Sequence, residues 1–96
     1  MTRDEVIRRI REHRRELAQL GVKSLALFGS VARGEAGPDS DVDVLVEFSE
    51  PATFDRYMDL KFFLEDLLGR RVDLVTRKAL KPRLRPYVEK EAVYVA

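Results

Sequence analysis

The chain has 96 residues, 45% of them hydrophobic and 36% charged, with a formal net charge of +1. That length makes one domain, spanning residues 1–96, with a single core. The near-balanced charge gives no general pull toward nucleic acid, whose binders carry a basic excess. The absence of cysteine excludes disulfides and thiolate metal sites and fits a cytoplasmic chain. No apolar run approaches a membrane span, and the opening MTRDEVIRRIREHRRE lacks the apolar stretch of a secretory signal.

Thr2-Arg3-Asp4-Glu5 reads as a capping box that starts a helix. Val6, Ile10, His13, Leu17 and Leu20 follow at helical spacing on one face, and Gly21 is its expected stop. His13, the sole histidine, lies on that apolar stripe and reads as a partly buried core residue rather than a catalyst. The surrounding arginines read as a solvated face. A short apolar run over residues 24–28 is the first strand.

At Gly29-Ser30 this strand turns into a short helix. Gly29 allows close approach of a ligand, and the amides of Ser30 and Val31 begin the helix, whose unpaired N–H groups suit phosphate. Arg33, one turn on, could add a charged fork for phosphate oxygens. The loop over residues 35–40 contains Pro38. Ser40 suits a turn role there, and Glu35 reads as a helix-end or ion-pair residue more readily than as a ligand. The second strand then opens with Asp41 and Asp43, which share a face because side chains alternate along a strand. Val42, Val44, Val46 and Phe48 occupy the opposite face, the core face. Carboxylates leaning together from such spacing can share divalent cations about 3.5–4 Å apart. A phosphate cradle beside paired aspartates is the apparatus of nucleotidyl transfer.

Thr53 is placed to cap the next helix, which ends near Leu68 with Gly69 as its stop. Tyr57, Leu60, Leu64, Leu67 and Leu68 form its core stripe. Met58 and Phe62 fall outside that stripe beside Asp55, Asp59 and Asp66. They form either a contact surface or a patch covered by the C-terminal segment. Residues 70–76 read as the third strand, with Val72 and Leu74 on one face and Asp73 and Val75 on the other. Arg77, Lys78, Lys81, Arg83 and Arg85 could reach a triphosphate, or form a solvated helix face. Pro82 and Pro86 mark helix starts, and residues 92–95 read as a short last strand. The whole is a small α/β (α+β) domain: a mixed sheet flanked by helices.

Gly29-Ser30-x-x-Arg33-Gly34-Glu35 followed by Ser40-Asp41-x-Asp43 resembles the signature of the DNA polymerase β-like nucleotidyltransferase superfamily. Within it the chain is similar to the minimal nucleotidyltransferases, called MNT proteins. The motif covers about fifteen positions, and the likeness in element order runs through nearly the whole chain. The resemblance implies a palm-like sheet with the carboxylate-bearing strands adjacent, and Asp73 matches the position of a third metal-holding carboxylate. Its alternative is a charge on the solvent face of a strand. The resemblance further implies two Mg²⁺ held by Asp41, Asp43 and Asp73, phosphates held by Gly29, Ser30 and Arg33, and ATP as the donor. Because the chain has no room for a separate acceptor-binding domain, the acceptor must come largely from another molecule. Resemblance to MNT proteins implies a HEPN-domain toxin, with AMP attached to a hydroxyl and this chain acting as antitoxin in a hetero-oligomer. Two other functions remain open: an antitoxin that masks its toxin without catalysis, and a nucleotide-sensing subunit.

Overall fold

A computed structural model describes residues 2–37 and 40–96; Met1, Pro38 and Asp39, the last two within the predicted loop, lie outside the described residues. The elements in chain order are α1 (Arg3–Arg11), α2 (Arg14–Gln19), β1 (Val22–Phe28), α3 (Gly29–Ala32), β2 (Val42–Phe48), α4 (Phe54–Leu68), β3 (Val72–Thr76), α5 (Arg85–Glu91) and β4 (Val93–Tyr94).

The strands form one mixed sheet in the order β3-β2-β1-β4. β1 pairs antiparallel with β2 and β4. β2 pairs parallel with β3, since α4 carries the chain back over one face between them. Strand alternation divides the side chains between two faces. Leu25, Leu27, Val42, Val44 and Val46 enter the main core with Val6, Ile10 and Leu17 of the first helices and Leu60, Leu64 and Leu68 of α4. Ala26 and Leu45 face the other way, where Leu80 and the half-buried Val88 and Ala92 cover them. α5 buries no residue fully. Arg33–Glu91 and Arg77–Glu89 ion pairs tie it to the rest of the domain.

The single N-terminal helix expected from periodicity is two helices. Thr2 does cap α1, its hydroxyl accepting the Glu5 amide. The helix then breaks at His13, whose Nδ1 donates to the Arg9 carbonyl at 2.7 Å while its ring meets Phe63 edge-on. His13 is half-buried, as the stripe predicted. α4 matches its predicted bounds, with Thr53 accepting the Arg56 amide and Gly69 at its C-cap. β1 starts two residues earlier than expected and β3 two residues later.

β3 is an edge strand, and α4 satisfies two of its main-chain groups. Glu65 Oε2 accepts the Val72 amide at 3.0 Å, and the Tyr57 hydroxyl donates to the Leu74 carbonyl. The C-terminal segment does not cover the Met58–Phe62 face, because its packing is with the opposite sheet face; Phe62 remains 55% exposed. No described helix is long and apolar enough to cross a membrane.

Candidate active site

The register of β2 on β3 sets Asp43 directly opposite Asp73. The antiparallel pairing on its other side sets Asp43 opposite Phe28, the last residue of β1. Asp43 therefore stands beside Gly29, where the chain leaves the sheet. Gly29 has φ +71°, and a Cβ built there would lie 2.1 Å from Asp43 Oδ2. The space that its missing side chain leaves is thus occupied by the Asp43 carboxylate. Glycine is required for that contact and for the left-handed backbone together.

Asp43 is half-buried and Asp73 exposed. Burial pushes the Asp43 carboxyl above its ordinary value, the nearby negative charges of Asp73 and Asp41 push it further, and a hydrogen bond shared with Asp73 adds to the shift. Like charges crowded on one sheet face disfavour ionisation unless a cation joins them. Asp41 lies one residue before β2 and is engaged by Arg71, with Nε 3.3 Å from Oδ1. Among the described residues no three acidic or histidine side chains converge as a ready ion cage. The donor set nonetheless fits a hard divalent cation. Asp43 and Asp73 present carboxylate oxygens side by side, and Asp41 is held only by an exposed ion pair, a kind that contributes about 0–1 kcal/mol.

Ser30 is the second residue of α3, a single turn of four residues. So short a helix has little macrodipole, and any phosphate affinity rests on its individual unpaired N–H groups and the Ser30 hydroxyl. Arg33 caps that turn and is engaged by Glu35 and Glu91, each at 3.0 Å, rather than standing free beside the aspartates. Glu35 thus has the ion-pair role expected of it. Ser40 has its turn role, accepting the Gly37 amide at 3.0 Å. The basic stretch lies past the far end of β3. Arg77 is four residues, about 13 Å, beyond Asp73, and it is held by Glu47 and Glu89. That end also carries the most voluminous groove, 560 Å³, lined in part by Lys23, Phe48, Lys78 and Arg85. The carboxylates instead occupy an open rim, and the chemistry of the donor set, not concavity, locates the site.

Sequence reasoning missed Arg71 as the partner of Asp41, Glu91 as the partner of Arg33, and Tyr57 and Glu65 as holders of β3. Arg71 carries a local signal, a basic residue beside the strand bearing Asp73. The others are long-range contacts with none.

The nucleotidyltransferase domain family matches residues 7–95. The protein adenylyltransferase MntA of Thermococcus cleftensis is 43% identical over 96 residues, covering 99% of this chain and 97% of that one. A solved structure assigned as a minimal nucleotidyltransferase superposes with a TM-score of 0.84 at 47% identity, over 97% of this chain and 95% of that one. The fold is also shared, at a TM-score of 0.61 and 19% identity over 88% of this chain and 70% of that one, with a chain from a tri-AMPylated Shewanella oneidensis HEPN toxin in complex with its MNT antitoxin. The chain belongs to the nucleotidyltransferase domain family and is a minimal nucleotidyltransferase.

Proposed function

We propose that the chain transfers AMP from ATP to a hydroxyl of a partner protein, a HEPN-domain toxin, and so acts as its antitoxin. The observation that carries this reading is Asp43 facing Asp73 across paired strands with the Gly29-Ser30 turn against it. The naming of a 43%-identical relative as a protein adenylyltransferase supports it. So does the AMPylated HEPN toxin in the MNT complex that shares the fold.

Asp41, Asp43 and Asp73 would hold two Mg²⁺, with Asp41 exchanging Arg71 for the cation. Bound Mg²⁺ would supply charge neutralisation at the phosphates and a lowered pKa for the acceptor hydroxyl. Ser30 and the amides beside it hold the β- and γ-phosphates, and Arg33 joins them by leaving its exposed pairs with Glu35 and Glu91. The acceptor oxygen attacks the α-phosphorus in line, and the bond from that phosphorus to its bridging oxygen breaks as pyrophosphate departs. The hydroxyl proton passes to the exposed Asp73 carboxylate. ATP as donor fits a cytoplasmic reaction.

The test is incubation of the full chain with ATP, Mg²⁺ and a HEPN partner, followed by intact mass of the partner. Wild type adds AMP, and an Asp41→Asn/Asp43→Asn variant adds none. Normal transfer by that variant, or none by wild type, overturns the proposal. The exposed Phe62 beside half-buried Met58 favours a second reading, neutralisation by docking alone, under which the double variant still silences the toxin.

A further inference from the structure

β3 is held by hydrogen bonds to β2 on one side only, because it is the sheet's edge. It is five residues long, and edge strands so short fray and slip readily. A slip of one residue would carry Asp73 to the core face and bring Val72 or Leu74 out in its place. The opposition of Asp43 and Asp73 therefore needs something beyond the sheet to maintain it. α4 supplies two tethers. Glu65 accepts the amide of Val72 at 3.0 Å, and the Tyr57 hydroxyl donates to the carbonyl of Leu74. These are the residues immediately before and after Asp73. Both tethers are part-buried, and both come from a helix whose Leu60, Leu64 and Leu68 are anchored in the core.

We infer that Tyr57 and Glu65 are positioning residues that pin β3 on either side of Asp73 and so set the carboxylate pair for cation binding. This rests on the metal-dependent reading of the site. Neither side chain touches that pair. Val72 and Leu74 point into the core on the α4 face, and Asp73 points to the other face. The effect travels through the strand's backbone.

The experiment measures Mn²⁺ affinity of the full chain without nucleotide, by the electron paramagnetic resonance signal of free Mn²⁺. Wild type is compared with Tyr57→Phe, Glu65→Ala and Glu65→Gln. Tyr57→Phe removes only the hydroxyl. Glu65→Gln keeps an oxygen able to accept the Val72 amide, whereas Glu65→Ala does not. Tyr57→Phe and Glu65→Ala should each weaken Mn²⁺ binding about tenfold, the low end for losing a group that orients a metal ligand. Glu65→Gln should stay near wild type, a rescue that general loss of charge would not produce. In the transfer assay kcat should fall while KM for ATP stays within about twofold, since the phosphate cradle is on β1 and α3. Equal Mn²⁺ binding by all four proteins, including none by any, overturns the inference, as does a Glu65→Gln variant no better than Glu65→Ala. Absence of transfer in wild type with the Mn²⁺ differences intact sinks the adenylyltransferase reading and leaves the tethers standing.

Discussion

A methyl group at position 29 tests the contact on which the site depends. Two costs follow from Gly29→Ala, and they separate. The first is conformational: at φ +71° an L-residue loses about 1–2 kcal/mol relative to glycine, or about 4–8 °C of Tm per kcal/mol in a domain this size. The second is steric. The new carbon would stand 2.1 Å from Asp43 Oδ2 and 3.0 Å from Cγ, where ordinary contact begins at 3.4 Å. The carboxylate must retreat by about 1 Å or more, and a misplacement of that size costs about a hundredfold in rate. Gly34→Ala is the matched control. Gly34 has φ +74° and nothing within 4 Å of a built Cβ, so it carries the conformational cost without the clash. Both variants should therefore melt lower by similar amounts, measured by circular dichroism. Only Gly29→Ala should lose about two orders of magnitude in AMP transfer measured by mass spectrometry. Equal transfer rates in the two variants would refute the contact as a determinant of the site.

Metal-free Asp43→Asn should melt above metal-free wild type at neutral pH. The folded-state pKa of Asp43 is raised by burial and then by Asp73 and Asp41, so its ionisation costs stability as pH rises above the ordinary value of 3.8. The gap should narrow as pH falls toward that value, and a variant melting below wild type in EDTA at pH 7 would make Asp43 a structural hydrogen-bonding residue. Addition of Mg-ATP should reverse the order, since a ligand at one hundred times its Kd stabilises wild type by about 2.7 kcal/mol and the variant by little. Phe62→Asp should leave the urea midpoint nearly unchanged, within about 0.5 kcal/mol for an exposed position, and should reduce pull-down of the partner; a large midpoint drop would show that Phe62 supports the fold.

Local pattern was enough for the elements that depend on local physics. Thr53 and Gly69 bound α4 because capping is settled within a few residues. Alternation on β2 sends Val42, Val44 and Val46 to the core and Asp43 to the opposite face because the strand period is two. The Gly29-Ser30 turn and the Asp41, Asp43 pair were legible as a motif for the same reason: each is a short run of chain. The tertiary structure decided what depends on register between distant segments. It set Asp73 against Asp43 through the parallel return over α4, and it filled the space beside Gly29 with the Asp43 carboxylate. It engaged Arg33 with Glu91, 58 residues away, and it carried the basic residues 77–85 to the far end of the sheet. It also broke the N-terminal helix at His13, where a half-buried ring takes the Arg9 carbonyl and periodicity alone shows no interruption. Spacing along one strand is covalent geometry and can be read from residues. The distance between two strands is set by the packing of everything that lies between them.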